Sequence, residues 1–253
     1  MRAGSSMLLL SAFLAATATA TVTVATAAEL KPSPPVAPGI AAFPRLAGPA
    51  GDAAADRINQ ALGRRDDKVR AAAKSCRAEG GKGAEWSRRI TATMTGPRYL
   101  SLVATDTWSC GGAHPDSSTM ALVYDLATGA PVNWIRLLPG VAGLQADTDT
   151  VGDGTVVGRL SAPALRDLYR AGGTKDPDCV EALRDLDPAF QLWPAAAEGG
   201  ITLQPVSLPH AVAACGDPVT VPMPALRTLG VKADLLDAID EARRLGLHDR
   251  APK

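Results

Sequence analysis

Between Arg98 and Gly129 the chain reads RYLSLVATDTWSCGGAHPDSSTMALVYDLATG, and the alternation within it sets the fold class. Over 98–110, Leu100, Leu102 and Ala104 fall on one side of an extended chain; over 118–129, Met120, Leu122 and Tyr124 do the same. A period of two, filled by β-branched and aromatic residues, marks half-buried strands. The intervening CGGAHPDSS holds two glycines, a proline and an aspartate, and reads as the connection between those strands. WSRRITATMTG before it and PVNWIRLLP after it, the latter across a tight turn at Gly129, carry the same texture. The whole predicts an antiparallel meander.

Helical spacing surrounds this sheet. Gly51–Cys76 places Ala55, Ile58, Ala61, Leu62, Val69 and Ala73 at helical intervals behind an N-cap at Asp52, with a break expected near Gly63. Gly140–Gly158 reads as loop, SAPALRDLYRAGG and DPDCVEALRDLDPAF as two short helices starting at Ser161 and Asp176, and GITLQPVSL and DPVTVPMP as strands. VKADLLDAIDEARRLGL closes the chain as a helix with Leu235, Leu236, Ile239 and Ala242 on its core side. The expected class is α+β: a mainly antiparallel sheet with an N-terminal helix, two short middle helices and a C-terminal helix.

The N-terminus, MRAGSSMLLLSAFLAATATATVTVATAAEL, has an early arginine, an apolar stretch and small residues at Ala25, Ala27 and Ala28. That is the pattern of a secretory signal peptide over 1–28. An uncleaved anchor is the competing reading, but the apolar core is shorter than the ~20 residues that span hydrocarbon. LKPSPPVAPGIAAFP carries five prolines, so 29–42 is expected as an extended linker and 43–253 as the folded domain. The protein is therefore expected to be periplasmic or secreted. Its formal net charge is zero and no basic tract is interleaved with aromatics, which argues against a nucleic-acid partner.

Cys76, Cys110, Cys179 and Cys215 form an even set, which in an exported chain implies disulfides. Pairing Cys76 with Cys110 and Cys179 with Cys215 closes each loop within one half of the chain, and is the expected connectivity. No pair is spaced C-x-x-C, against a zinc knuckle or a redox site. No metal and no cofactor are expected.

His114 is the residue most suggestive of chemistry, as a general base oriented by Asp116 or as a metal ligand. A base needs a nucleophile and a metal needs further ligands. His210 and His248 are distant in sequence, and neither H-E-x-x-H nor G-x-S-x-G occurs. The structural reading gives each residue a turn role: Gly111 and Gly112 permit positive φ, Pro115 fixes the backbone, Asp116 bonds back into the turn, and the His114 ring ties the loop to neighbouring backbone. Gly111, Gly112, His114 and Asp116 are thus expected as a binding element without catalysis, against the alternative of a hydrolase or metal-dependent enzyme centred on His114. Asp147–Thr155, DTDTVGDGT, matches a calcium loop at its first, third and sixth positions but has Val151 at the fifth and Gly158 at the twelfth, so an acidic turn is expected. Asp176, Asp178, Glu181, Asp185 and Asp187 read as a solvated helix face.

Taken in order, FPRLAG, INQAL, the stretch 99–134 and GITLQPVSLPHAVAACGDPVTVPMPAL resemble a bacterial envelope domain of unknown function. That domain forms the extracellular part of the lysozyme-sensing anti-sigma factor RsiV and a non-catalytic region of some peptidoglycan deacetylases. The resemblance, from about Phe43 to Leu226, implies an α+β ectodomain without an enzymatic site, and lysozyme or a peptidoglycan fragment as partner. The chain departs from the pattern at LPHAVAACG, where His210 and Cys215 replace an aromatic and proline-rich stretch.

Overall fold

The computed structural model describes residues 27–112, 114–151, 155–173, 176–206 and 208–249, with backbone alone for 147–151 and 155–158. Apart from Ala27 and Ala28, the expected signal segment lies outside the described residues.

Helix α1, Ala53–Gly80, begins where the Asp52 carboxylate accepts from the amides of Ala54 and Ala55, at 3.0 and 3.1 Å. It runs unbroken through Gly63. One glycine costs a helix about 1 kcal/mol, which the flanking apolar stripe offsets. The stripe is buried against a three-stranded antiparallel sheet, β3 (Glu85–Thr95), β4 (Tyr99–Ser109) and β5 (Asp116–Asp125), in the order β3-β4-β5. Ile58, Ala61 and Leu62 meet Ala92, Leu100, Leu102, Ala104, Leu122 and Tyr124 on that face, with Phe43 closing the cluster. The other face, with Val103, Ala121 and Val123, joins a larger core.

A second sheet forms the far side of that core: β6 (Gln145–Val151), β7 (Thr155–Ser161), β8 (Ala189–Ala195), β9 (Gly200–Val206) and β10 (Val219–Pro222), ordered β10-β9-β8-β7-β6. Phe190, Leu192, Ile201 and Leu203 supply its inner residues. Helices α2 (Trp134–Leu137), α3 (Pro163–Gly172), α4 (Pro177–Arg184), α5 (Met223–Thr228) and α6 (Ala233–Leu245) surround the same core. On α6 the expected residues Leu235, Leu236, Ile239 and Ala242 are all buried. The architecture is α+β and its strand pairs are antiparallel, as expected.

Several local expectations are corrected. PVNWIRLLP is not a fourth strand but a helical turn, because Trp134 and Leu138, four residues apart, both enter the core and the Asn133 side chain accepts from the Arg136 amide. Gly140–Gly158 is not loop throughout, since β6 and β7 pair as a hairpin across it. The calcium-like stretch lies largely on this hairpin, with 152–154 outside the described residues. Helix α3 starts after Ala162 with Pro163 in its first turn, not at Ser161; β8 and α5 were not expected.

The proline-rich stretch 29–42, expected as an extended linker, packs onto the body. Leu30–Lys31 (β1) pairs with Arg45–Leu46 (β2), and Val36 and Ile40 are buried against Val69 and Ala73 of α1. Prolines dictate extended backbone, not exposure, and spaced apolar residues can still find a seam. The same segment helps cover the outer edge of β3: the Arg88 amide bonds Gly39 O, and the Ala41 amide bonds Arg88 O. Ala196, Leu247 and Asp249 bond the same strand at Thr93, Thr95 and Ala92. Covering an edge in this way removes a template for unwanted strand pairing.

Candidate functional site

The loop from Cys110 to Pro115 is fixed at its start. Cys110 is bridged to Cys76 near the end of α1 with their Cα atoms 4.7 Å apart. Gly80 and Gly111 press backbone to backbone: a Cβ on Gly80 would lie 2.7 Å from the Cys110 carbonyl carbon, and one on Gly111 would lie 3.0 Å from the Gly80 Cα. Gly111 has φ +88°, a region that excludes most side chains. Gly112 has neither a positive φ nor a close neighbour, so only the first glycine of the expected pair is conformationally required.

A second anchored turn faces this loop. His210–Cys215 is a 3-10 turn, and Cys215 is bridged to Cys179 of α4, Cα to Cα 5.3 Å. Both bridges follow the connectivity expected from the sequence. The Tyr169 hydroxyl lies 2.9 Å from Asp217 O and 3.2 Å from Cys215 O, and the Gln204 amide donates to Gly216 O. Burial pushes the Tyr169 phenol up to about 12, with Asp217 adding to it.

The two turns bring His114 and His210 together, ring centroids 5.9 Å apart and planes inclined at 31°. The sequence placed no second histidine near His114, because the two are 96 positions apart and meet only through the stacking of the two sheets. The His114 ring does not tie the loop to backbone as expected. Both rings are exposed, and among the described residues neither hydrogen-bonds to a hydroxyl or carboxylate.

Beside this pair opens a polar cleft of about 470 Å³. Asp116, Ser117, Ser118 and Thr119 of β5 form one wall; Arg159 and Gln191 stand between the sheets; Gln204, Pro205, His210, Ala213 and Gly216 form the opposite wall. Gln191 is buried, and its Oε1 accepts from the Ala121 amide at 2.8 Å, tying the second sheet to β5. Of the expected element Asp116 lines the cleft, His114 stands beside it against His210, and Gly111 and Gly112 do not line it, while Gln191, Gln204, Arg159 and His210 were missed. His210 had one usable signal, its position five residues before a cysteine, matching His114 four residues after one. Among the described residues no group of three or more His, Cys, Asp or Glu side chains is placed to hold a metal ion. The histidine pair supplies two ligands, short of the three or four that zinc sites use.

On the other side of the same loop Pro115 joins Trp86, Trp108, Arg77 and Glu85 in a second groove. The two indoles stack at 5.2 Å as directly opposed residues of β3 and β4, and Trp86 Nε1 donates to Asp106 at 2.9 Å. Such a cross-strand pair stabilises the end of the sheet.

Among the described residues no helix is long and apolar enough to cross a membrane. The chain carries two disulfides, a bond type that persists in oxidising environments. No family model matches the sequence, and no curated protein matches it. Among solved structures, the chain is similar to a member of the DUF3298 family from Bacteroides fragilis NCTC 9343, at 13% identity and TM-score 0.47, over 79% of this chain and 87% of that one. It is also similar to a DUF3298 family protein from Pseudomonas aeruginosa PAO1, at 15% identity and TM-score 0.46, over 76% of this chain and 84% of that one.

Proposed function

We propose that this protein is an exported, non-enzymatic binding module of the bacterial envelope, and that its ligand enters the polar cleft between the two sheets. The observation that carries this reading is the cleft itself: the disulfide-anchored turn 210–215 forms part of its wall, the anchored loop 110–115 leads into its 116–119 wall, and amide, hydroxyl and imidazole groups line it. Concave sites with convergent polar groups on rigid supports are where ligands bind. Hydrolysis centred on His114 is disfavoured because a base needs a nucleophile within hydrogen-bond reach and a group that orients it, and His114 has neither among the described residues. The sequence resemblance favours lysozyme or a peptidoglycan fragment as the ligand, and the signal-like N-terminus favours a periplasmic or secreted location.

The test is titration of the mature protein with lysozyme and, separately, with solubilised muropeptides, followed by calorimetry. Ala213→Trp fills the cleft from an exposed position on its wall. The expected result is binding of one probe by the wild type, abolished in Ala213→Trp with an unchanged thermal melt. Binding indifferent to Ala213→Trp would place the site elsewhere.

A further inference from the structure

The open edge of β5 inside the cleft carries an inference that rests on the cleft reading above and names what enters. In an antiparallel strand the N–H and C=O of one residue point to the same edge, and successive residues alternate edges. The Ala121 amide bonds Gln191 Oε1, the Val132 amide bonds Val123 O, and the Asp125 amide bonds Ala130 O. Odd-numbered positions of β5 therefore point away from β4. The β4–β5 register is unbroken from Tyr99↔Asp125 to Trp108↔Asp116, so Thr119 and Ser117 point the same way.

At those two positions the covering stops. The Ser117 amide turns back to Asp116 Oδ1 at 2.8 Å, but Ser117 C=O and both backbone groups of Thr119 meet no partner among the described residues. Further along the same strand Ala121 gives its amide to Gln191, Val123 its carbonyl to Val132, and Asp125 uses both groups. The stretch 117–119 faces the cleft. Gln191 shows what fits it: the carboxamide oxygen of this buried side chain already sits where the carbonyl of a next strand would sit.

We propose that the cleft takes an extended polypeptide segment of a partner protein, which adds as a short strand along β5 and continues the ladder that Gln191 begins. Main-chain bonds would supply the affinity and the polar walls the selectivity. Ser117 to Thr119 covers about 7 Å of edge, so three residues of the partner suffice. A second copy of this chain is the weaker occupant, because its own edge is recessed behind the same wall of Gln204, Ala213 and Gly216.

Linear random peptides displayed on phage are selected against the mature protein, and the selected peptide is synthesised as the probe. Hydrogen exchange is followed at Thr119, and Thr119→Pro removes the outward N–H at an edge position that tolerates proline. The expected result is a selected peptide that slows exchange at Thr119 and binds Thr119→Pro about tenfold more weakly, as loss of one hydrogen bond implies. The exchange readout uses the wild type and so holds even if Thr119→Pro fails to fold. A peptide that binds with Thr119 exchange unchanged overturns the proposal. So does failure to select any linear peptide while lysozyme or muropeptides still bind in a manner sensitive to Ala213→Trp, a result that leaves the cleft reading standing. Self-association of the wild type with Thr119 protected also overturns it, in favour of a second copy. Absence of lysozyme and muropeptide binding counts against the cleft ligands proposed above, and is scored separately from the peptide result.

Discussion

Replacing Asp66 by alanine is expected to remove about 3–5 kcal/mol of stability, the usual cost of leaving a buried charge without its partner. Asp66 lies on the buried stripe of α1, 2% exposed, and its carboxylate collects three donors. They are the Phe43 amide at 3.1 Å, Arg45 at 2.8 Å and Arg88 at 3.3 Å. Arg88 is itself 6% exposed, stacks over the Phe43 ring at 4.4 Å, and reaches Asp106 at 3.6 Å. Burial lowers the Arg88 pKa, and the Asp106 and Asp66 carboxylates oppose that shift. Without Asp66 the guanidinium keeps one carboxylate, the more distant Asp106, and the Phe43 amide is left unpaired, which alone costs about 1–3 kcal/mol. The two costs overlap, so the larger range stands as the total. For a domain of this size it corresponds to a fall in Tm on the order of 10 °C. Urea unfolding followed by tryptophan fluorescence measures the loss, and a cycle with Arg88→Met isolates the pair. The double variant Asp66→Ala, Arg88→Met should be more stable than the sum of the single losses by at least about 1 kcal/mol. A loss below about 1 kcal/mol for Asp66→Ala, or strict additivity, would refute the reasoning.

Gly111→Val should destabilise by about 2 kcal/mol or more, because it places a β-branched residue at φ +88° against the Gly80 backbone, whereas Gly112→Val should be nearly neutral in thermal melts. Reducing either disulfide, or replacing Cys76 and Cys110 by alanine, should lower the urea midpoint. Loops of 34 and 36 residues correspond to roughly 4 kcal/mol each in the chain-entropy estimate, and an unchanged midpoint would contradict it. Tyr169 titrates near 12 in the fold against about 10 when unfolded, so its contribution is intact below pH 10 and is lost as pH rises toward 12. Urea midpoints of the wild type should therefore fall more steeply over that interval than those of Tyr169→Phe; parallel curves would dismiss the assignment.

Residues that act through their own neighbours were legible in the sequence. Alternation at Leu100, Leu102 and Ala104 located β4, the Asp52 cap and its stripe located α1, and Leu235 to Ala242 located the buried face of α6. Each signal is written within a few residues and is read by the backbone alone. PVNWIRLLP was ambiguous because so short an apolar run satisfies both periods, and the core chose the helical one by taking Trp134 and Leu138 together. Composition misled at Val36 and Ile40, where prolines concealed two anchors whose seam exists only once α1 lies on β3. The candidate site was half legible: glycines, proline and histidine marked the 110–116 loop, and an even cysteine count marked the bridges. That His114 would meet His210, that Gln191 would reach the Ala121 amide, and that β5 would keep one window open all depend on how one sheet is stacked on the other. That stacking is set by burial of the whole apolar core, a force proportional to area and indifferent to direction, so no local run of residues encodes which polar side chains it brings face to face.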